Sequence, residues 1–117
     1  MNDKGKQGEA QAAEYLKKQG YKILALNFPS RFGELDIVAQ YKKTLVFVEV
    51  KMRSYSAFGG PLAAVGKAKQ DKIAATAICY VKEKNPKFDS IRFDIITVLE
   101  GKVDHIENAF TPNRGTF

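Results

Sequence analysis

The chain has 117 residues, is 44% hydrophobic, and carries a formal net charge of +6 from 19 basic and 13 acidic residues. This length predicts one domain over residues 1–117 with a core of its own. The single cysteine excludes an intramolecular disulfide and a zinc site built from several cysteines. The basic excess favours polyanionic partners such as nucleic acid.

Secretion and membrane insertion are not indicated by the sequence. No apolar run approaches the ~20 residues that a membrane helix needs. The first residues, MNDKGKQGEAQ, lack the apolar core of a signal peptide. We therefore expect a cytoplasmic protein that makes no membrane contact.

Hydrophobic periodicity predicts a helix, three strands, a second helix and two more strands. The first helix is expected from about Lys4 to Lys18, with Gly20 ending it. The other expected elements are strands at 21–26, 35–40 and 44–52, a helix from about 64 or 66 to 83, and strands at 91–99 and 103–107. Residues 54–66 are expected to form a loop and residues 110–117 a loose tail. This order predicts an α/β fold, a three-layer α/β/α sandwich with a mixed central sheet.

Two carboxylates and a lysine interrupt the most strand-like part of the chain. Opposed residues in an antiparallel pair have a constant index sum, and a turn centred on Lys42-Lys43 gives a sum of 85. This register would place Asp36 opposite Glu49, with Cβ atoms ~5 Å apart. Lys51 lies two residues beyond Glu49 and therefore on the same face of its strand.

Two like charges side by side on a partly buried face need a cation between them or a proton on one of them. The oxygen atoms of Asp36 and Glu49, with a neighbouring backbone carbonyl, suit Mg²⁺ or Mn²⁺. The alternative is that Glu49-Val50-Lys51 is a solvated strand face, which is the commoner meaning of such a triplet.

Polar residues also lie on the predicted inner faces of both helices. Glu9 has the helical spacing of the apolar stripe that ends at Leu16, and a carboxylate on this inward face would need a partner. Alternatively, Glu9 lies at the edge of the stripe in the first helical turn, where the helix dipole favours a negative charge. Lys69 and Gln70 precede the stripe that begins at Ile73. Lys69 could extend out of this stripe to solvent or reach a phosphate near the carboxylates.

Three further residues with reactive or charged side chains lie outside this set. Asp94 is expected to pair with Arg53 or Arg92 in a structural role, since it lies on a later strand. His105, the only histidine, is assigned no role. Cys79 is expected to be a small apolar filler within the second helix.

Taken together, the motif residues resemble the PD-(D/E)xK, or restriction-endonuclease-like, nuclease superfamily. The chain as a whole is similar to the YraN-like family of small bacterial proteins. The matching segments, in order, are GEAQAAEYL, GYKILALN, RFGELDIVA, LVFVEVKMR, FGG, KAKQDKI and RFDIITV. They cover nearly the whole chain.

The resemblance implies a restriction-endonuclease-like fold and assigns roles to the strand residues. Asp36 and Glu49 look like ligands of Mg²⁺ or Mn²⁺, and the Val50 carbonyl would be a third ligand. Lys51 looks like the catalytic lysine that assists the attacking water.

The resemblance also assigns roles to residues outside this motif. Glu9 matches the first-helix glutamate of the Holliday-junction-resolvase branch, where it would support the metal and catalysis. Lys69 and Gln70 match the second-helix lysine and glutamine and become candidate catalytic residues. Arg31 and Arg53 bracket the hairpin and, with Lys69, are candidates for contacting DNA phosphates.

The expected function is that of a Mg²⁺-dependent, nuclease-like phosphodiesterase acting on DNA, with branched or structured DNA as the candidate substrate. A homodimer is the candidate assembly, because nucleases that cut both strands are often symmetric. Two alternatives remain: a non-catalytic nucleic-acid-binding module with the same fold, and a partner-binding protein of DNA uptake or repair complexes whose acidic site is vestigial.

Overall fold

A computed structural model describes residues 3–52 and 65–112 of the chain. Its elements are α1 (Asp3–Lys18), β1 (Lys22–Ser30), β2 (Gly33–Tyr41), β3 (Thr44–Met52), α2 (Lys67–Lys84), β4 (Ser90–Leu99) and β5 (Lys102–Ile106). The predicted order of helices and strands is confirmed. No helix among the described residues is long and apolar enough to cross a membrane.

The five strands form one mixed sheet in the order β1-β2-β3-β4-β5. All neighbouring pairs are antiparallel except β3 and β4, which are parallel. A parallel pair needs a connection that returns along the sheet, and α2 lies within that connection. β3 is the central strand, because this order places two strands on each side of it.

The helices cover opposite faces of the sheet and create two apolar layers. The layer under α1 contains Ala12, Ala13, Leu16, Tyr21, Ile37, Ala39, Val46, Val48, Ile96 and Val98. The layer under α2 contains Phe28, Leu35, Val38, Leu45, Phe47, Ile73, Ala77, Tyr80 and Phe93. Neighbouring residues of β3 alternate between the two layers, and burying each large side chain stabilises the fold by about 1.5–3 kcal/mol. The α/β sandwich with a mixed sheet is confirmed.

β1 extends four residues further along the chain than the sequence predicts, because the segment from Asn27 to Ser30 is strand rather than loop. Asn27 has a φ of 52°, a left-handed conformation that asparagine tolerates well. Pro29 pairs with Glu34, and β1 is an edge strand, where a proline leaves no ladder hydrogen bond unmade. The turn residues that indicated a loop are thus accommodated within an edge strand.

A polar network is buried beneath α1, with the fully buried carboxylate of Asp94 at its centre. Arg92 donates to both oxygens of Asp94 at 2.9 Å, His105 Nε2 lies 2.7 Å from Oδ2, and the Asn108 N–H donates to Oδ1 at 2.9 Å. Burial alone would raise the pKa of Asp94, but the hydrogen bonds from His105, Arg92 and Asn108 outweigh it and lower the pKa. The predicted pairing with Arg92 is confirmed, whereas His105, which was assigned no role, belongs to this network.

Two other predictions concern the second helix and the C-terminal tail. Cys79 is partly buried and packs against the layer under α2, as expected of a filler. Phe110, the first residue of the expected tail, stacks on Phe93 with ring centroids 5.3 Å apart. Residues 113–117 and most of the expected loop 54–66 lie outside the described residues.

Candidate functional site

The hairpin of β2 and β3 has the register that the sequence predicts. Ile37 pairs with Val48, which gives the expected index sum of 85. The same register places Asp36 opposite Glu49, just beyond this last ladder pair. There the Asp36 carboxylate accepts the N–H of Val50, with 2.8 Å between Oδ2 and the nitrogen. A side chain therefore continues the hydrogen bonding where the backbone ladder stops.

Asp36 has a strongly perturbed acidity. Burial, followed by the negative charge of Glu49 and a hydrogen bond with it, raises the pKa of Asp36 to about 7. The Val50 N–H and the charge of Lys69 act in the opposite direction but are outweighed. Two carboxyl groups joined by a hydrogen bond need a proton between them. The two facing carboxyl groups expected from the sequence are therefore present, and Asp36 keeps its proton to a higher pH than an ordinary aspartate does.

Two lysines flank Glu49 on the α2 face of the sheet. Val48 and Val50 pack in the layer under α1, so strand alternation points Glu49 and Lys51 towards α2. Lys69 of α2 lies with Nζ 3.5 Å from Glu49 Oε2; its side chain is 51% exposed, compared with 13% for Glu49. Lys69, for which the sequence left open an extension to solvent or contact with a phosphate near the carboxylates, thus lies beside Glu49 with half of its side chain exposed.

Glu9 also reaches the carboxylates, from the N-terminal part of α1. Burial and then the charge of Asp36 raise the pKa of Glu9, which shares hydrogen bonds with Asp36 and Asn27. A close approach of α1 to the end of β3 sets this position, since a Cβ on Gly8 would clash with Met52 Sδ. Sequence reasoning missed Asn27, although an asparagine within an otherwise strand-like run was a signal of unusual local backbone.

The remaining candidates are not brought into the cluster. The Gln70 side chain donates to the backbone oxygen of Val65 at 2.9 Å, and it therefore braces the start of α2. Arg31 lies exposed in the turn between β1 and β2. Arg53 lies outside the described residues.

The fit of a metal ion can be judged from the donor atoms. Across residues 3–52 and 65–112, no three histidine, cysteine, aspartate or glutamate side chains form a group that could hold a metal ion. Glu9, Asp36 and Glu49 follow one another as a hydrogen-bonded chain. A metal here would take two neighbouring carboxylates, a backbone carbonyl and water, an all-oxygen set that fits Mg²⁺ or Mn²⁺.

The fold and this cluster define a small α/β sandwich protein with three carboxylates and two lysines gathered near the end of its central strand. The chain belongs to the uncharacterised protein family UPF0102, whose model matches residues 8–98. This match confirms the resemblance to the YraN-like family.

Individual relatives are similar over nearly their whole length. A UPF0102 protein of Persephonella marina is 44% identical over 107 residues, which cover 92% of each chain. One from Syntrophomonas wolfei is 45% identical over 107 residues, 88% of this chain and 93% of its own. One from Caldanaerobacter subterraneus is 49% identical over 114 residues, 91% of this chain and 93% of its own. The chain therefore corresponds to nearly all of each relative.

Proposed function

We propose that the protein is a Mg²⁺-dependent phosphodiesterase that cleaves DNA on a restriction-endonuclease-like fold. The observation that carries this proposal is the pair of facing carboxylates, Asp36 and Glu49, with a lysine beside them on the same strand face. An apolar strand pair gains no stability from such a pair, since ionisation of both groups is unfavourable. A bound cation would offset the repulsion between the two carboxylates and so account for their presence here.

Asp36 and Glu49 would hold the metal, and the Val50 carbonyl would complete the protein ligands. When bound, Mg²⁺ lowers the pKa of a coordinated water and stabilises negative charge on a phosphate. Lys51 orients the attacking water and neutralises charge that develops on the phosphate. Because the pKa of Asp36 is raised to about 7, its proton would have to leave before both carboxylates could act as ligands.

The helix residues take supporting roles in this proposal. Glu9 hydrogen-bonds to Asp36, so it orients that ligand or contributes to a second ion. Lys69, now 3.5 Å from Glu49, would contact a substrate phosphate in place of Glu49, and exposed Arg31 would contact another phosphate. Gln70 acts by holding the start of α2, and through it Lys69, in place. Branched DNA and a homodimer are the proposed substrate and assembly.

The test is cleavage of a panel of linear, nicked, flapped and four-way DNA in Mg²⁺ or Mn²⁺. Asp36→Asn, Glu49→Gln and Lys51→Ala should each abolish cleavage and retain binding, and Lys43→Ala, an exposed lysine of the β2–β3 turn, serves as the matched control. Cleavage that survives Asp36→Asn and Lys51→Ala would come from a contaminant and would contradict the proposal.

One observation favours the second candidate, a non-catalytic nucleic-acid-binding module. Lys69 already supplies a positive charge to Glu49 at 3.5 Å, so the cluster could persist as an internal ion pair. Calorimetric titration separates the two functions. Mg²⁺ binding that disappears in Glu49→Gln supports the enzyme, whereas DNA binding with no Mg²⁺ binding and no cleavage supports the module.

A further inference from the structure

The turn between β1 and β2 presents an exposed aromatic ring beside an arginine. Ser30 pairs with Gly33, so Arg31 and Phe32 are the two central residues of this turn. Phe32 is 39% exposed, and the Arg31 guanidinium lies 4.9 Å from the centre of its ring. No carboxylate of a residue described by the structure pairs with Arg31. A flat apolar surface and an available positive charge thus lie together.

This turn is held firmly to the body of the protein. Ser30 Oγ accepts the Phe32 N–H at 3.0 Å and donates to the Gly33 carbonyl at 3.1 Å. The same oxygen lies 2.8 Å from Oγ1 of Thr76, a buried residue of α2. The turn therefore presents the Phe32 ring from a braced backbone, which reduces the entropy lost when a ligand binds.

We propose that Phe32 and Arg31 form a stacking platform for an unpaired base at the branch of a DNA substrate; this rests on the proposed function. Bases stack on aromatic rings without regard to sequence, and a neighbouring arginine adds attraction to the base and its phosphate. A single ring of this kind is far smaller than the apolar patch of several hundred Å² typical of a protein interface. The chain's net charge of +6 also favours nucleic acid over an average protein surface.

The platform has a fixed relation to the carboxylates. Phe32 precedes Asp36 by four residues at the start of β2, which corresponds to at most ~13 Å of extended chain. At 3.4 Å per step this length spans about four base steps of one DNA strand. A branch base held on Phe32 would therefore place a phosphate at most about four nucleotides away at the carboxylates.

Binding is measured in EDTA by fluorescence anisotropy, with a four-way junction and a fully paired duplex of equal length as probes. Phe32→Ala should weaken junction binding about ten- to a hundredfold and leave duplex binding unchanged, while Phe32→Trp restores it. Ile106→Ala is the matched control, since Ile106 of β5 is 38% exposed and lies on the other edge of the sheet. Because Phe32 is exposed, its variants should unfold at the temperature of the wild type.

Each outcome separates this inference from the proposed nuclease. Phe32-dependent junction binding without cleavage in Mg²⁺ or Mn²⁺ supports the platform and refutes the nuclease. Cleavage by the wild type with equal junction affinity in Phe32→Ala and Ile106→Ala refutes the platform alone and leaves the proposed nuclease standing. A wild type that binds neither probe overturns both. Where cleavage occurs, Phe32→Ala should scatter cuts that the wild type makes within about four nucleotides of the branch.

Discussion

Replacing Asp36 with asparagine should stabilise the protein without metal, and more so at high pH. The pKa of Asp36 is raised from 3.8 to about 7 in the folded state. The folded protein therefore holds this proton more tightly than the unfolded chain, and stability falls as pH rises from about 4 to about 7. A difference of about three units corresponds to at most about 4 kcal/mol, at 1.36 kcal/mol per unit.

Asparagine preserves the geometry while removing this loss. Its Oδ1 can accept the Val50 N–H as the carboxylate does at 2.8 Å, and its amide can donate to Glu49. In EDTA, urea unfolding should show Asp36→Asn about 2–4 kcal/mol more stable than the wild type at pH 8. The advantage should shrink by about 2 kcal/mol at pH 5, where the folded wild type is already protonated.

Exposed Asp89 provides the control, since Asp89→Asn should change stability little at either pH. Adding Mg²⁺ at pH 8 should stabilise the wild type by mass action and leave Asp36→Asn unchanged. If Asp36→Asn differed from the wild type by the same amount at pH 5 and pH 8, the reasoning about like charges would be refuted.

Three further changes test other parts of the molecule. Lys69→Ala should alter the free energy of unfolding by less than about 1 kcal/mol, because its ion pair with Glu49 is half exposed. In calorimetric titration the same variant should bind Mg²⁺ more tightly than the wild type, whereas the control Lys67→Ala should bind it equally. Asp94→Ala should cost about 3–5 kcal/mol in urea unfolding, because it removes the fully buried carboxylate that pairs with partly buried Arg92 and accepts the Asn108 N–H. Since the pKa of Asp94 is lowered, its contribution in the wild type is present above about pH 4 and lost in stronger acid. Glu100→Asn should raise stability by about 0.5–1 kcal/mol, because residue 100 has a φ of 49° in a two-residue hairpin turn; an unchanged or lower unfolding midpoint would contradict this.

The sequence was most informative where local geometry decides the outcome. The two-residue turn between β2 and β3 fixes the pairing, so simple arithmetic placed Asp36 opposite Glu49. Strand alternation likewise placed Lys51 on the face of Glu49. Both rules depend only on residues close in sequence, and the hydrophobic pattern around them left little freedom in register.

Other features depended on tertiary context that local patterns do not contain. Asn27 and Pro29 carry turn propensities, and only their place on an edge strand makes them compatible with β1. The position of His105 beside β4 could have been derived from the sequence. The turn at Glu100-Gly101 fixes the β4–β5 register, and this register places His105 opposite Ile96. What the sequence did not reveal was that Asp94, two residues earlier on β4, would be fully buried.

The parallel pairing of β3 with β4 has a consequence for the order of folding. Asp36 and Glu49 meet through a hairpin that closes a short loop, whereas Glu49 pairs with Ile95, about 46 residues further along, at a greater entropic cost. The hairpin can therefore bring the carboxylates together before α2 delivers Lys69. The repulsion between Asp36 and Glu49 is then greatest before Lys69 arrives. Stopped-flow refolding of Asp36→Asn at pH 8 should therefore be faster than that of the wild type. The acidic pair would then slow the folding of the chain that carries it.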